Sequence, residues 1–341
     1  MEDLLFHKIN GINENHTDVL RVLLQEMKSP FRKGDSIGIK LHWGEQGNHS
    51  YLPPIYAKEI AQWLIEQGVQ PFITDTTVLY SGGRRTGSDA IKTAIDHGYT
   101  EEYLRCPIVI ADGLDGRSFL DIPAGFKHFE SVQVASILEK ANGFFVFSHF
   151  KGHMLSLFGG AIKNLSMGLS SRAQKQRMHS DAQPSLNKTK CSRCKTCVDI
   201  CPTGSATIGD DGYPVYDLKK CIGCAQCIGL CPELALKIMW NTDELIFQEK
   251  LVETAAAVWG RIKDKSLFIN ALLNITTECD CMPGDNPVLV PDLGFVGGYH
   301  PVDVDRESLN LVGTKPFEQA HPHLPWNRQF EYSREIGFTS I

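Results

Sequence analysis

Two cysteine-rich runs constrain this chain more than any other feature of its sequence. The first reads CSRCKTCVDICP over residues 191–202, and the second reads CIGCAQCIGLCP over residues 221–232. Both have the spacing CxxCxxCxxxCP, which chance does not produce twice. Two-residue spacers let one loop place three thiolates around a compact volume, as an iron–sulfur cube requires. The runs therefore predict iron–sulfur clusters.

Two other uses of clustered cysteines fit the sequence less well. Disulfide scaffolds are typical of secreted proteins, whereas the N-terminus, MEDLLFHKIN, has neither the basic start nor the apolar run of a signal peptide. For a zinc site, four cysteines in each run are one too many. We therefore expect reduced thiols that bind iron.

The spacing resembles that of bacterial two-cluster ferredoxins, in which three cysteines of a run bind one [4Fe-4S] cluster and the fourth binds the other. The resemblance implies that the first cluster is held by Cys191, Cys194, Cys197 and Cys231. It implies that the second is held by Cys221, Cys224, Cys227 and Cys201. Three of the eleven cysteines remain, and Cys106, which stands alone on an apolar strand, is predicted to lie in the core.

Length, hydrophobic content and charge limit the classes of protein to which this chain can belong. A chain of 341 residues, 42% of them hydrophobic, can bury a large core. Its net charge is -6, and its Lys and Arg residues are dispersed along the sequence, so the sequence does not predict the basic patch of a nucleic-acid-binding protein. No segment reaches the ~18 apolar residues of a membrane span. We expect a soluble cytoplasmic protein, and oxygen-sensitive clusters indicate an anaerobe.

Outside the cysteine runs, helical and strand patterns alternate, which predicts an α/β fold with a mostly parallel sheet flanked by helices. The predicted strands are 36–41, 70–74, 107–111, 143–148 and 266–273. The predicted helices are 16–28, 53–67, 88–97, 131–140 and 243–261. We expect an α/β domain in two parts, 1–185 and 241–341, interrupted by an inserted α+β two-cluster ferredoxin domain over 186–240.

Polar residues recur just after the predicted strands, at His42, Glu45, Asp75, Asp112, His149 and His153. Ligands of open α/β sheets bind at the carboxyl ends of the strands. The set therefore predicts a site there, in which we expect His42, Glu45, Asp75 and Lys163 to be catalytic. The alternative is that each Asp or His only caps the turn after its strand.

The segment from His149 to His179 is rich in glycine and in cationic side chains. Gly159, Gly160 and Asn164 are its predicted cofactor-binding residues, because glycine lets the backbone approach a ligand closely. The segment is neither a Walker loop nor a GxGxxG dinucleotide fingerprint. Its alternative interpretation is a flexible surface loop.

A CxC pair, Cys279 and Cys281, follows the last predicted strand. Two thiolates need further ligands to hold a metal, and the histidines that could complete a third metal site or cluster are His149, His153 and His179. The alternative is a pair of buried structural thiols.

Five segments together carry a family resemblance: KLHWGEQGN (40–48), TDTTVLYSGGR (74–84), SHFKGH (148–153), GGAIKNLSMG (159–168) and CDC (279–281) with VPDLG and HPVDVD. With the cysteine runs, they resemble the family called domain of unknown function 362, in its ferredoxin-containing form. The resemblance implies an α/β domain interrupted by a two-cluster ferredoxin. His153, Gly159, Gly160 and Lys163 also resemble the His, Gly-Gly, Lys segment by which nickel-pincer lactate racemases hold their cofactor, with one extra residue before the lysine.

These features predict an iron–sulfur oxidoreductase whose two clusters relay electrons between a redox partner protein and a site on the α/β domain, where a small-molecule substrate and an additional metal or cofactor would bind. The first alternative is a non-enzymatic electron carrier or redox sensor in which the α/β domain docks partners. The second is a metal-cofactor isomerase or racemase. The aromatic and basic tail, 321–338, is predicted to dock on the core or on a second copy of the chain.

Overall fold

The fold is built on a seven-stranded sheet. A computed structural model describes residues 4–11, 14–179, 184–221, 223–237 and 243–340. The strands of the sheet are β1 Leu5–Lys8, β2 Ser36–Lys40, β3 Gln70–Asp75, β4 Ile108–Ile110, β5 Gly143–His149, β6 Ser266–Leu272 and β7 Gly294–Gly298. They lie in the order β1-β7-β6-β5-β2-β3-β4. The strands from β6 to β4 are parallel, and β7 is antiparallel to both of its neighbours. The predicted mostly parallel sheet is confirmed.

Helices cover both faces of this sheet. In chain order they are α1 His16–Glu26, α2 Ile55–Glu66, α3 Gly87–Asp96, α4 Glu101–Leu104, α5 Ile137–Lys140, α6 Ala161–Ser166, α7 Arg172–His179, α8 Thr196–Asp199, α9 Gln226–Leu230, α10 Glu244–Ile262, α11 Pro301–Val312, α12 Lys315–Ala320 and α13 Arg328–Glu335. Short 3-10 turns lie at Lys188–Lys190 and Lys263–Lys265. Within the described ranges, none of these helices has the length and apolarity to cross a membrane.

Two hydrophobic cores result from this layering, and β5 shows how. Its residues alternate between the faces, so that Phe144 and Val146 enter the core beneath α6, α10, α11 and α13. Phe145 and Phe147 enter the opposite core, beneath α1, α2 and α3. A strand covered on both faces is apolar along its whole length, which explains why GFFVFS was recognisable from sequence.

One predicted helix is wrong. Residues 131–140 form a strand, Ser131–Ala135, paired antiparallel with Phe119–Pro123, and only the end of the segment is helical, at α5. Val132 and Val134 alternate with polar residues and are fully buried. β-Branched residues that alternate with polar residues favour a strand over a helix. Pairing with the strand Phe119–Pro123 stabilises the extended conformation.

The glycine-rich segment from 149 to 179 is structured and mostly buried. A hairpin pairs Lys151–His153 with Leu157–Gly159, and α6 and α7 follow it. Side chains on both helices reach the core. The alternative of an exposed loop is therefore wrong for this segment.

The cysteine-rich segment folds into short elements of its own. α8 and α9 flank a hairpin of Ala206–Ile208 with Pro214–Tyr216. A small hydrophobic cluster of Ile228, Ala235 and Leu236 also includes Ala173 of α7. The segment therefore packs against the α/β layers. The predicted boundary at 240–241, and residues 182 and 183 of the polar stretch before the segment, lie outside the described residues.

The remaining predictions about local structure can be placed directly. Cys106 is buried in the core, as predicted, where burial raises the pKa of its thiol to about 12. In the tail, α13 buries Phe330 against the core that contains α10. The tail thus docks on the core.

Candidate functional site

Asp75 lies at the centre of a buried polar cluster at the carboxyl edge of the sheet. It ends β3 beside β2, whose last residue is Lys40, and the Lys40 Nζ lies 3.0 Å from Asp75 Oδ1. The Nδ1 of His42 and the Nη1 of Arg84 lie 3.0 and 3.3 Å from Asp75 Oδ2. Burial alone would raise the pKa of Asp75, but Lys40, His42 and Arg84 outweigh it and hold that pKa far below its usual value. Asp75 is therefore a fixed carboxylate.

His42 presents an open nitrogen beside this carboxylate. Burial, reinforced by the Arg84 charge, lowers the pKa of His42, so the ring is neutral near pH 7. The Nδ1 of His42 lies 3.0 Å from the Asp75 carboxylate and 3.1 Å from the Arg84 guanidinium. The buried Nε2 of His42 has no hydrogen-bond partner among the described residues. Nε2 is therefore the ring nitrogen that is open to a proton or a ligand.

Arg84 connects the Asp75 cluster to Glu45. Its Nε donates to Glu45 Oε2 at 3.2 Å, and its Nη2 donates to the Tyr80 hydroxyl at 2.9 Å. The other oxygen of Glu45 accepts the backbone N–H of Gly83 at 2.6 Å. Glu45 is therefore satisfied by its own chain and positions the guanidinium.

The CxC pair lies at the same edge of the sheet. A turn closes on the pair through the Met282 N–H, which donates to the Cys279 carbonyl at 3.0 Å. The Lys163 ammonium donates to the Cys279 Sγ at 3.0 Å. A hydrogen bond from Cys281 and the Lys163 charge outweigh burial and lower the pKa of Cys279 well below that of a free thiol. The same hydrogen bond and burial raise the pKa of Cys281. These opposite shifts favour the negative charge on Cys279 and the proton on Cys281.

Asp280, between the two cysteines, anchors the turn to the glycine-rich segment. Its Oδ2 is 2.8 Å from His149 Nδ1 and also accepts the Lys151 ammonium. The His149 Nε2 donates to the Leu273 carbonyl at 2.8 Å, so both ring nitrogens of His149 are occupied. The buried Oδ1 of Asp280 has no hydrogen-bond partner in the described parts of the chain.

His153 and His179 both stack on one aromatic ring, that of Phe247. Their ring centroids are 5.7 and 4.9 Å from that of Phe247. Burial, with a contribution from Lys163, lowers the pKa of both histidines, to about 3 for His179. The His153 Nδ1 is 3.0 Å from the Ser156 hydroxyl. Both rings are neutral and packed.

The predicted cofactor-binding residues contact the protein's own side chains. A Cβ at Gly159 would meet Lys163 at 2.7 Å, and one at Gly160 would meet Asp305 at 2.2 Å. The Oδ1 of Asn164 accepts the Lys40 ammonium at 2.6 Å, and its Nδ2 donates to the Phe147 carbonyl at 3.1 Å. Close packing within the chain accounts for these three residues.

Asp112 lies apart from the Asp75 cluster. Its carboxylate accepts the backbone N–H and the hydroxyl of Thr77 at 2.9 and 2.6 Å. It therefore fixes the turn after β3, which agrees with the capping alternative for this residue.

The eight cysteines of the two runs line two separate pockets. The first, of about 390 Å³ and open to solvent, is lined by Cys191, Cys194, Cys197 and Cys231, with Leu186, Ile208 and Pro214 among its other residues. The second, of about 410 Å³, is lined by Cys201, Cys221, Cys224 and Cys227. Each pocket thus combines three cysteines of one run with the last cysteine of the other.

Two arginines of the α/β layers join the cysteine-rich segment to the sheet edge. Arg85 donates to the carbonyls of Cys231 and Gly229 at 2.9 and 3.1 Å. Arg172 donates to Thr77 Oγ1 at 2.9 Å and lies 3.5 Å from the Gly229 carbonyl. The end of the second cysteine run is therefore attached to the loops that follow β3.

A site for a single metal ion is a separate question from a cluster site. In residues 4–11, 14–179, 184–221, 223–237 and 243–340, no three His, Cys, Asp or Glu side chains converge as ligands of one metal ion. The structure does not bring His149, His153 and His179 together with Cys279 and Cys281 as one ligand set. The cysteines of the two pockets instead surround volumes larger than an ion.

Sequence reasoning missed three cations of the site. Lys40, Arg84 and Lys151 are each at most 5% exposed and bind the carboxylates of Asp75 and Asp280. A lysine at the end of an apolar strand was the available signal for Lys40, because a buried ammonium needs a buried partner.

Comparisons with known proteins give a family without a described activity. The family model described as domain of unknown function (DUF362) matches residues 37–310. No curated protein matches this chain. A crystal structure of a Thermotoga maritima protein is similar at 12% identity and a TM-score of 0.47, covering 92% of this chain and 60% of that one. The lactate racemase apoprotein from Thermoanaerobacterium thermosaccharolyticum has 11% identity and a TM-score of 0.40, covering 80% of this chain and 52% of that one.

Proposed function

This chain belongs to the DUF362 family, and we propose that it is an iron–sulfur oxidoreductase in which two [4Fe-4S] clusters exchange single electrons with the site at the carboxyl edge of the sheet. The family's description assigns no activity. The proposal therefore rests on the residues of this chain.

One observation carries the proposal: each of the two pockets is lined by four cysteines, in the crossed combination that a pair of cubes requires. Electrostatic contacts agree with this crossing, because Cys201 interacts with Cys224 of the other run and Cys231 interacts with Cys197. A disulfide scaffold would pair the sulfurs, whereas all eight thiols are free.

The donor set of each pocket fits a cube. Thiolates are the soft ligands that iron–sulfur clusters take, and apolar residues such as Leu186 and Ile208 in the first pocket lower the local dielectric. The Ala235 N–H donates to the Cys231 Sγ at 3.3 Å, the kind of hydrogen bond that tunes a cluster's potential. When bound, the clusters supply one-electron transfer.

The residues at the sheet edge would exchange the proton and stabilise the charges that accompany electron transfer. Asp75 and Arg84 hold the Nδ1 side of the His42 ring, and its open Nε2 is the atom that would exchange a proton with a bound substrate. Arg84 and Lys40 keep Asp75 ionised. Lys163 stabilises negative charge on Cys279. An electron-transfer site needs such groups, because each electron added to a buried site is accompanied by a proton or balanced by a cation.

Metal analysis of anaerobically purified protein tests the proposal. We expect about eight iron and eight sulfide per chain, and neither nickel nor zinc in stoichiometric amount. Cys201→Ser should lower the iron content to about four while leaving an EPR-active cluster after reduction. Cys106→Ala, at a buried cysteine outside both pockets, is the matched control and should keep all eight iron atoms. Protein that purifies without iron and sulfide would refute the proposal.

A further inference from the structure

We propose that Cys279 and Cys281 form a redox-active thiol pair that cycles between a dithiol and a disulfide, takes its electrons from the clusters, and reduces a disulfide-bearing substrate. This inference rests on the proposed function for its electron supply and names the substrate class of that same site. Nothing in the family description assigns a role to this pair.

The geometry of the turn supports it. The backbone N–H of Cys281 donates to the Cys279 Sγ at 3.4 Å. This bond folds the turn so that the second cysteine lies against the sulfur of the first. A thiolate beside a neighbouring thiol and a lysine is the arrangement of a reactive cysteine, in contrast to an inert core cysteine such as Cys106.

The charge around Cys279 is fixed by its neighbours. The Lys163 ammonium makes the one direct contact of a cation with its sulfur among the described residues. The other titratable groups that interact with Cys279 are His42, Tyr80, Lys151, His153, Glu278 and Cys281. Because Lys163 is partly buried and its ammonium contacts the Cys279 sulfur, its positive charge favours the thiolate in the reduced pair.

Access and proton transfer assign different roles to the two sulfurs. Cys281 is a partly exposed residue, whereas Cys279 is 5% exposed, and we therefore assign substrate contact to Cys281. Transfer of the Cys281 proton to Cys279 makes Cys281 the attacking thiolate. Loss of that proton from Cys279 to the released RS⁻ then makes Cys279 the thiolate that resolves the mixed disulfide.

The chemistry balances. The Cys281 thiolate attacks a substrate disulfide RSSR, forming a mixed disulfide and releasing RS⁻, which takes the proton from Cys279. The Cys279 thiolate then attacks the Cys281 sulfur, forming the internal disulfide and releasing a second RS⁻, which takes up a proton from water. Two electrons, which the two clusters would supply, and one further proton restore the thiolate and thiol. The sum is RSSR plus two electrons and two protons giving two RSH.

A continuous set of contacts joins the first cysteine pocket to the pair. Arg85 binds the Cys231 carbonyl at 2.9 Å. The adjacent residue, Arg84, binds the Tyr80 hydroxyl at 2.9 Å, and this hydroxyl donates to the Cys281 carbonyl at 3.1 Å. The pair is therefore tied by neighbouring residues to the segment that would hold the electrons.

Equilibration with mixtures of reduced and oxidised dithiothreitol, followed by iodoacetamide and trypsin, tests the pair in the holoprotein. Trypsin releases residues 266–306 as one peptide whose only cysteines are Cys279 and Cys281. We expect this peptide to change from two alkyl groups to none, with an internal disulfide, as the mixture becomes oxidising. A peptide that carries two alkyl groups in every mixture would overturn the inference.

The pH dependence separates a working pair from two thiols that merely oxidise. Dithiothreitol releases two protons on oxidation and the reduced pair takes up one, so the ratio of dithiol to disulfide should rise about tenfold per pH unit below about pH 7.5. Lys163→Met should abolish this dependence, and Lys163→Arg should retain it. A pH-independent ratio in the wild type would contradict the role of Lys163.

The electron supply is tested separately. Holoprotein with an oxidised pair is photoreduced with deazaflavin, and the EPR signal of the reduced clusters is followed in the dark. We expect the signal to decay in the wild type as two thiols appear, and to persist in Cys279→Ala. A persistent signal in the wild type would overturn this inference alone, whereas a protein that never gives the signal would refute the proposed function.

Discussion

At the scale of single residues, the buried carboxylate of Asp75 lies in contact with several charged side chains. Lys40 and Arg84 are both buried, and Asp75 is the carboxylate that each contacts. Asp75→Asn removes the negative charge, which leaves the buried Lys40 ammonium without a carboxylate partner and leaves Arg84 with Glu45 alone. We expect a loss of about 3–5 kcal/mol in the free energy of unfolding, measured by urea denaturation.

The matched control is Asp121→Asn, at an exposed aspartate on the strand Phe119–Pro123. Its effect should stay within about 0.5 kcal/mol. Equal stabilities for the two variants would show that the Asp75 cluster contributes nothing to folding.

The residues of this cluster differ in how far sequence could reveal them. His42 and Asp75 were predicted because each follows an apolar strand, and position after a parallel strand determines the edge of the sheet. Arg84 was not predicted, since its three acceptors come from residues 75, 45 and 80 and meet only after folding. Crossed pairing of the cysteines was expected from the resemblance of their spacing to that of two-cluster ferredoxins, and the two pockets are lined in the same combination.

At the scale of elements, α6 depends on a carboxylate from another helix. Asp305 of α11 accepts the Ala161 N–H and, at 2.9 Å, the Ile162 N–H. Burial raises the pKa of Asp305 to about 6 from its usual 3.8. The folded protein therefore binds this proton more tightly than the unfolded chain, so the contribution of Asp305 to stability is complete below about pH 4 and is lost as the pH rises to about 6.

Asp305→Asn should remove this loss. Relative to wild type, we expect the variant to gain about 3 kcal/mol of unfolding free energy between about pH 4 and about pH 7, measured by urea denaturation across that range. Asp303→Asn, on the same helix and partly exposed, is the control. A constant difference between Asp305→Asn and wild type at every pH would contradict the assignment.

The strands were predictable from the sequence where both of their faces are buried. The five parallel strands are mostly apolar, because helices cover both their faces. β1 has only four residues and β7 reads GFVGG, so neither has enough side chains to show a pattern. Their antiparallel pairing depends on the neighbours that they find in the folded chain.

At the scale of the molecule, Arg85 joins the cysteine-rich segment to the α/β layers. It donates to the carbonyls of Val78, Leu79, Gly229 and Cys231. Arg85→Ala removes a positive charge beside the first cysteine pocket. A positive charge stabilises the more negative, reduced cluster, so we expect its potential to fall while the iron content stays at about eight.

An EPR-monitored redox titration of the Arg85→Ala protein measures this shift. Arg117→Ala is the control, because the Arg117 side chain is 52% exposed and its ion-pair partner, Asp115, is exposed as well. Unchanged cluster potentials in Arg85→Ala would exclude an electrostatic contribution of Arg85.

The central claim is that crossed sets of four cysteines hold two iron–sulfur cubes. An anomalous difference map collected at the iron absorption edge, from crystals grown without oxygen, tests it most directly. We predict two compact peaks, one bounded by Cys191, Cys194, Cys197 and Cys231 and the other by Cys201, Cys221, Cys224 and Cys227. A map without iron at these cysteines, or with iron bound to uncrossed sets, would contradict the claim.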